Sequence, residues 1–170
     1  MDRSAVEREL EALHPQSFAW ALVCCGHHRA DAEDALQDAY LRVLDGRARF
    51  EGRSAFRTWL FGVIRRCCAQ QSRRRWWTGP LRNGGPPVER VDPAPGADQR
   101  IEQDERAARL TQALRALPKR QREVLELVFY HEMTIAEAGD VIGVSIGTAR
   151  THYERGKKAL SRLLDREMER

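Results

Sequence analysis

Apolar residues recur along this chain at helical spacing, and nowhere do they alternate with polar ones as in a strand bounded by turn dipeptides. Ser4 and Glu7 stand three apart and predict a capping box opening a short first helix. Pro15 suits the first turn of a second, PQSFAWALVCC, which stops at Gly26 and puts Phe18, Leu22 and Cys25 on one face. A third helix is expected from about Ala30 to Leu44, grouping Leu36, Ala39, Tyr40 and Val43. A fourth, from Ala55 to about Arg75, carries Phe56, Trp59, Leu60, Val63, Ile64 and Cys67. Farther on, Ile101 to Leu117 reads as a helix ended by Pro118. Residues 119–130 start another, with Val124, Leu125 and Val128 inward. Between these groups, Gly79 to Gly96 holds five prolines and four glycines with almost no apolar periodicity, which is linker composition. The expected fold is therefore all-α: a helical domain over 1–77, a linker over 78–100, and a second helical domain over 101–170.

The most informative stretch is TIAEAGDVIGVSIGTARTHYERGKK, from Thr134 to Lys158. Thr134 and Glu137 form a second capping-box pattern, Gly143 sits where the chain must turn, and Ser145 can cap the helix that follows. That helix carries Arg150, His152, Arg155, Lys157 and Lys158, and can run on through Leu160, Leu163 and Leu164. Ala138 and Gly139 are small enough for two helices to cross closely. Two short helices around a tight turn, the second one basic, form the pattern of a DNA-binding helix-turn-helix. On this stretch alone an ordinary αα-hairpin stays open.

Charge sharpens the picture. The 170 residues carry a net +4 with a pI near 9.1, a mild bias toward a polyanionic partner. Residues 1–46 hold four arginines against nine acids, whereas residues 47–77 hold nine arginines against Glu51 alone. An acidic segment followed at once by a basic one points to two different partners. No apolar run approaches the roughly 18 residues of a membrane span, and the acidic N-terminus lacks a signal-peptide core, so a cytoplasmic protein without membrane insertion is expected. The four cysteines come as Cys24-Cys25 and Cys67-Cys68, which is neither a secreted disulfide spacing nor a structural zinc spacing. Whether Cys24, Cys25, His27 and His28 sense a metal or redox state stays open.

On the third helix, Asp31, Asp34 and Asp38 follow i, i+3, i+7 spacing, with Gln37 and Leu41 beside them. Such a face is either simply solvated or suited to docking on a basic protein surface. The next segment interleaves arginines, which bind phosphates, with aromatics, which stack on unpaired bases. Phe56, Trp59 and Val63 recur at core spacing. The loop from Asp45 to Ser54, with Phe50 and two glycines, is the better candidate to hold a flipped base, and Arg73-Arg74-Arg75 to clamp phosphate. No carboxylate pair, nucleophile–base set or phosphate-cradling loop supports an enzyme, and no metal or cofactor site is expected.

DAEDALQDAYLRVL, SAFRTWLFGVIRR, the Pro/Gly linker, LPKRQREVLEL and the helix-turn-helix, in this order from about Phe18 to Leu164, resemble a bacterial extracytoplasmic-function (ECF) RNA polymerase sigma factor. The resemblance implies that Asp34, Gln37, Asp38 and Leu41 dock on the β′ clamp of core RNA polymerase. It implies −10 promoter contacts from Phe50, Arg53, Ser54, Trp59, Arg66, Gln70, Arg73 and Arg74. It implies −35 contacts from Ser145, Thr148, Arg150, Thr151, His152, Arg155 and Lys158. A touch on the β flap and a cognate anti-sigma factor follow from it as well. The chain departs from the family at Arg66, where relatives usually carry Asn, at Gln70, where they often carry Asp, and at His152-Tyr153, where Arg-Leu is frequent. A stand-alone helix-turn-helix regulator is the alternative; it leaves the acidic helix and the arginine-rich segment without a role.

Overall fold

Asp2, not Ser4, caps the first helix. The computed structural model describes residues 2–78 and 98–168, and the side chains of 2–73 and 107–165. In it α1 spans Arg3–Ala12, and the Asp2 carboxylate accepts from the Ala5 amide at 2.7 Å. The helix thus starts early enough to leave Ser4 inside it, and Glu7 pairs with Arg3 one turn back instead of closing a box. The second helix, α2 (His14–Cys24), has Pro15 in its first turn, and the chain leaves it through Gly26 and His27, both at positive φ.

The face of α2 that carries Phe18, Leu22 and Cys25 packs against the core but is not its most buried side. Phe18, Leu22 and Cys25 are only half-buried, while Ser17, Trp20, Ala21 and Cys24 are sealed. This helix is apolar nearly all round and packs on both α3 and α4, so periodicity alone could not choose its inner face. Trp20 is 0% exposed, and its indole N–H donates to the Phe61 carbonyl at 3.0 Å, joining α2 to α4. The helices α3 (Arg29–Leu44) and α4 (Phe56–Thr78) complete the first half. They bury Ala32, Ala35, Leu36, Ala39 and Val43 from α3, and Leu60, Phe61, Val63, Ile64, Cys67 and Cys68 from α4. All four cysteines are free thiols. Cys68 reaches Cys24 and Cys25 across the α2–α4 contact; the Cys24 hydrogen bond and then burial push its thiol up, against a lowering hydrogen bond from Cys25. Among the described residues no group of three or more His, Cys, Asp or Glu side chains is arranged to hold a metal ion.

The second half holds α5 (Asp98–Ala116), α6 (Lys119–Phe129), α7 (Ile135–Ile142) and α8 (Ile146–Met168). The α5 backbone begins at Asp98, ahead of the expected Ile101, and the linker expected over Gly79 to Gly96 lies outside the described residues. Here the local signals read correctly. Thr134 and Glu137 form the capping box, with the Thr134 amide donating to Glu137 at 2.8 Å and the Glu137 amide to Thr134 Oγ1 at 3.2 Å. Gly143 ends α7 at φ 71°, the left-handed conformation that a Cβ disfavours. Gly139 allows the close crossing of α7 and α8: a Cβ there would sit 3.2 Å from the Val144 carbonyl oxygen and 3.4 Å from Ala149 Cβ.

The two halves share one core. A single buried cluster runs from Trp20, Leu60, Phe61 and Ile64 to Val124, Leu127, Met133, Ala138, Val141 and Ile142, and α4 packs along α7. Across this boundary Arg65 of α4 grips Glu123 of α6 with two hydrogen bonds, 3.1 and 3.2 Å, and Glu123 is 0% exposed. Beside it Arg120 donates to the Ile142 carbonyl at 2.9 Å, satisfying one of the open acceptors at the end of α7.

Candidate nucleic-acid interface

The four residues expected to dock stand on one side of α3. Asp34, Gln37 and Leu41 are exposed, Leu41 to 47%, and Asp38 is half-buried on the same side. Two of these residues are tied back into the domain. Asp34 accepts a long 3.5 Å bond from Gln71 of α4. Asp38 lies 2.7 Å from the Arg42 guanidinium, which donates at 2.7 Å to Gln70 Oε1. Burial disfavours the Asp38 charge, but the Arg42 hydrogen bond and charge outweigh it and hold the carboxyl below the usual carboxylate range. Gln70 is therefore bound to the α3 face through one arginine.

The loop between α3 and α4 turns at Gly46 and Gly52, both at φ above 70°. Phe50, in this loop, is half-buried. It packs edge-on against Phe56, with ring centres 5.3 Å apart, and against Trp59 at 5.4 Å, so the three rings form one half-buried cluster. Phe56 and Trp59 leave apolar surface at the start of α4 that a half-buried third ring covers. Arg53 is exposed and paired with Glu51, and Ser54 bonds its neighbour's carbonyl.

Beside this cluster a cleft of about 1030 Å³ opens. Trp59, Arg66, Gln70 and Arg73 line it, so four of the eight residues expected at a −10 element share one surface. Phe50, Arg53 and Ser54 do not line it, and the Arg74 side chain lies outside the described residues. The sequence reading missed Arg42, Arg47, Arg49, Arg65 and Arg120, which also face the cleft. The arginine excess of residues 47–77 was the available signal for Arg47, Arg49 and Arg65. Nothing in the sequence signalled Arg120, which the other half of the molecule brings. Converging guanidinium groups around an indole suit a phosphate backbone with an unstacked base.

On α8, Ser145, Thr148, Arg150, Thr151, Arg155 and Lys158 are exposed and His152 is half-buried. At 3.6 residues per turn, Thr148, Thr151, Arg155 and Lys158 fall on one face, opposite buried Ala149 and Gly156, and Arg150 stands at its edge. Three hydroxyls serve the helix itself. Ser145 accepts the Thr148 amide at 3.2 Å as the N-cap, its oxygen lies 3.0 Å from Thr148 Oγ1, and Thr151 donates back to the Gly147 carbonyl. Tyr153 is half-buried, with its ring 5.8 Å from Phe129 and the Lys157 ammonium over its face. Gly156 lets α8 lie against α6, where a Cβ would meet Leu125 at 3.1 Å.

Residues 10–78 match the sigma-70 region 2 family, and residues 107–160 match sigma-70 region 4. The chain is 31% identical over 142 residues to the ECF RNA polymerase sigma factor SigF of Caulobacter vibrioides, covering 80% of this chain and 72% of that protein. This chain belongs to the ECF family of RNA polymerase sigma factors. The ECF sigma factor SigM of Mycobacterium tuberculosis is 33% identical over 134 residues, and the aligned part spans 64% of its length. The fold is shared with the sigma factor RpoE of Bartonella quintana, solved with the anti-sigma factor NepR. That likeness has a TM-score of 0.72 at 23% identity and covers 94% of this ECF chain and 96% of RpoE. CnrH, solved with the cytosolic domain of CnrY, gives a TM-score of 0.64 at 24% identity, over 96% and 90% of the two chains. The first half of this ECF chain is thus its region 2 and the second its region 4.

Proposed function

We propose that this chain is an alternative sigma factor that binds core RNA polymerase and directs it to promoters carrying its own −10 and −35 elements. The observation that carries this reading is the division of surfaces in one chain: an acidic face with an exposed leucine on α3, an arginine-lined cleft at α4, and an exposed basic helix in region 4. A stand-alone regulator has use only for the last of these. In the proposed assignment Asp34, Gln37, Asp38 and Leu41 meet the β′ clamp. The cleft with Trp59, Arg66, Gln70 and Arg73 takes the −10 strand. Thr148, Arg155 and Lys158 enter the −35 major groove, and region 4 also touches the β flap. The RpoE complex favours an anti-sigma factor as a further partner. Among the described residues no helix is long and apolar enough to cross a membrane, and none of these roles calls for one. The assignment includes no catalytic residue and no cofactor.

Run-off transcription with core polymerase on genomic fragments tests the reading. Discrete transcripts that depend on this chain are expected. Duplex binding without any transcript, at every fragment, would leave the stand-alone regulator instead. The placement on α8 separates two arginines. Arg155→Ala is expected to weaken −35 binding by about 1–3 kcal/mol on the preferred sequence and little on others, as a base-edge contact does. Arg150→Ala, at the edge of that face, is expected to weaken binding evenly across sequences, as a phosphate contact does. Mobility-shift titrations on matched and scrambled −35 duplexes check both.

A further inference from the structure

We propose that His131 makes the packing of region 4 on region 2 sensitive to pH: its protonation separates the halves and converts the compact chain into an open one. His131 lies in the turn between α6 and α7, yet its ring is seated on region 2. It meets Phe61 of α4 edge-on, with centres 4.9 Å apart, and Trp20 of α2 at 6.1 Å, also edge-on. The residue is 3% exposed, and neither ring nitrogen has a hydrogen-bond partner among the described residues. A buried imidazole with both nitrogens unpaired is tolerable only while neutral, because an imidazolium there would be a desolvated and unpaired charge.

The surrounding groups do not offset that charge. From α4, Arg57 adds a repulsion, and Arg65 is already committed to Glu123 of α6. From α7, Glu137 is held by Thr134 in the capping box. From the turn itself, the Tyr130 ring lies edge-on to His131 at 5.1 Å. From α6, the Glu126 backbone carbonyl accepts the His131 amide at 3.2 Å, while burial raises the Glu126 carboxyl. From α2 the ring meets Trp20. Burial and then Arg57 lower the His131 imidazole to about 4 in the compact chain. Once the halves part, the ring regains water and its ordinary value near 6.5.

The direction follows from proton linkage. The compact form binds fewer protons at His131 than the open form, so its stability is fully present above about pH 6.5 and is lost as pH falls toward 4. Between about pH 7.5 and pH 5 the open-to-compact ratio rises on the order of 20-fold. Glu126, raised by burial, acts in the opposite sense, since its protonation favours the buried state. The change of compactness does not rest on the sigma-factor assignment.

Small-angle scattering of the full chain without polymerase or DNA reads the effect, with far-UV circular dichroism alongside. The radius of gyration is expected to rise between about pH 7.5 and pH 5 while helicity holds. His131→Phe is expected to stay compact over the same range, with His131→Leu as the second variant should the larger ring not be accommodated. By NMR, the wild-type His131 imidazole is expected to remain neutral well below the ordinary histidine range wherever the chain is compact. A wild-type chain that stays compact to pH 5, a His131→Phe or His131→Leu chain that expands as wild type does, or an ordinary His131 titration in the compact chain overturns the proposal. Loss of transcription with the pH response intact would instead count against the sigma-factor assignment.

Discussion

Glu123→Ala is expected to destabilise the folded chain by about 3–5 kcal/mol, the largest stability effect of any single substitution considered. Glu123 is 0% exposed and uses both carboxylate oxygens on Arg65, whose side chain is itself only 16% exposed; Arg120 stands 3.6 Å away on the other side. Alanine removes the anion and leaves the Arg65 guanidinium in an apolar boundary with nothing to replace it. The attraction itself is not the source of this figure. Desolvating two charges offsets most of what their pairing returns, so Arg65→Met combined with Glu123→Leu is expected to be neutral or stabilising. Denaturant unfolding of Arg65→Met, Glu123→Leu and the double variant closes the cycle. A Glu123→Ala chain within about 0.5 kcal/mol of wild type would show that the pair is not buried in solution. The pair then has another use: an apolar boundary packs in several registers, whereas a two-pronged ion pair fits in one. The double variant tests this too, since a chain equally stable but less uniform in its inter-half geometry is the expected result.

What could be read from the sequence was local. The Thr134 capping box, the left-handed Gly143 and the Ser145 cap depend on residues within a turn of each other, and each formed as read. The acidic face of α3 could be read for the same reason, because one helix fixes which side chains stand together. Apart from the cap of the first helix, the failures needed a second element. Ser4 lost its cap role to Asp2, two positions earlier. On α2, the sealed face is the one carrying Trp20, because α3 and α4 approach from both sides. The packing of Phe50 on Phe56 and Trp59 likewise joins a loop to a helix and could not be read from either alone. Glu123 and His131 carry no sequence mark at all: on α6, Glu123 looks like Glu126, and the turn residue His131 looks like any polar connector. They matter only because region 2 lies against them, an arrangement that periodicity within one helix does not encode.

Asp38→Arg is expected to lower transcription with core polymerase by at least tenfold while leaving −35 duplex binding unchanged, because like-charge contact across an interface costs several kcal/mol. The structure gives this prediction a competing explanation that must be separated from it. Asp38 holds Arg42, and Arg42 holds Gln70 on the cleft, so an arginine at 38 both reverses the docking charge and drives Arg42 away from Gln70. Loss of transcription from Asp38→Arg alone therefore fits damaged −10 reading as well as damaged docking. Leu41 resolves the two: it is 47% exposed on the same face, outside the Asp38–Arg42–Gln70 chain of contacts. Asp34 helps in the same way, since only a 3.5 Å bond from Gln71 ties it to α4. If α3 docks on polymerase, Leu41→Ala and Asp34→Arg should weaken co-purification with core polymerase, in the same direction as Asp38→Arg. If both leave transcription intact while Asp38→Arg abolishes it, the docking assignment fails and the arginine link to the cleft accounts for the loss. The charge on Asp38 bears on conditions as well. Its carboxyl is held below the usual range, so the acidic face keeps this charge as pH falls through the region where an ordinary aspartate begins to lose it. Polymerase binding should accordingly persist at the acid pH that parts the two halves, and co-sedimentation of the wild-type chain with core polymerase at about pH 5 and pH 7.5 measures that directly.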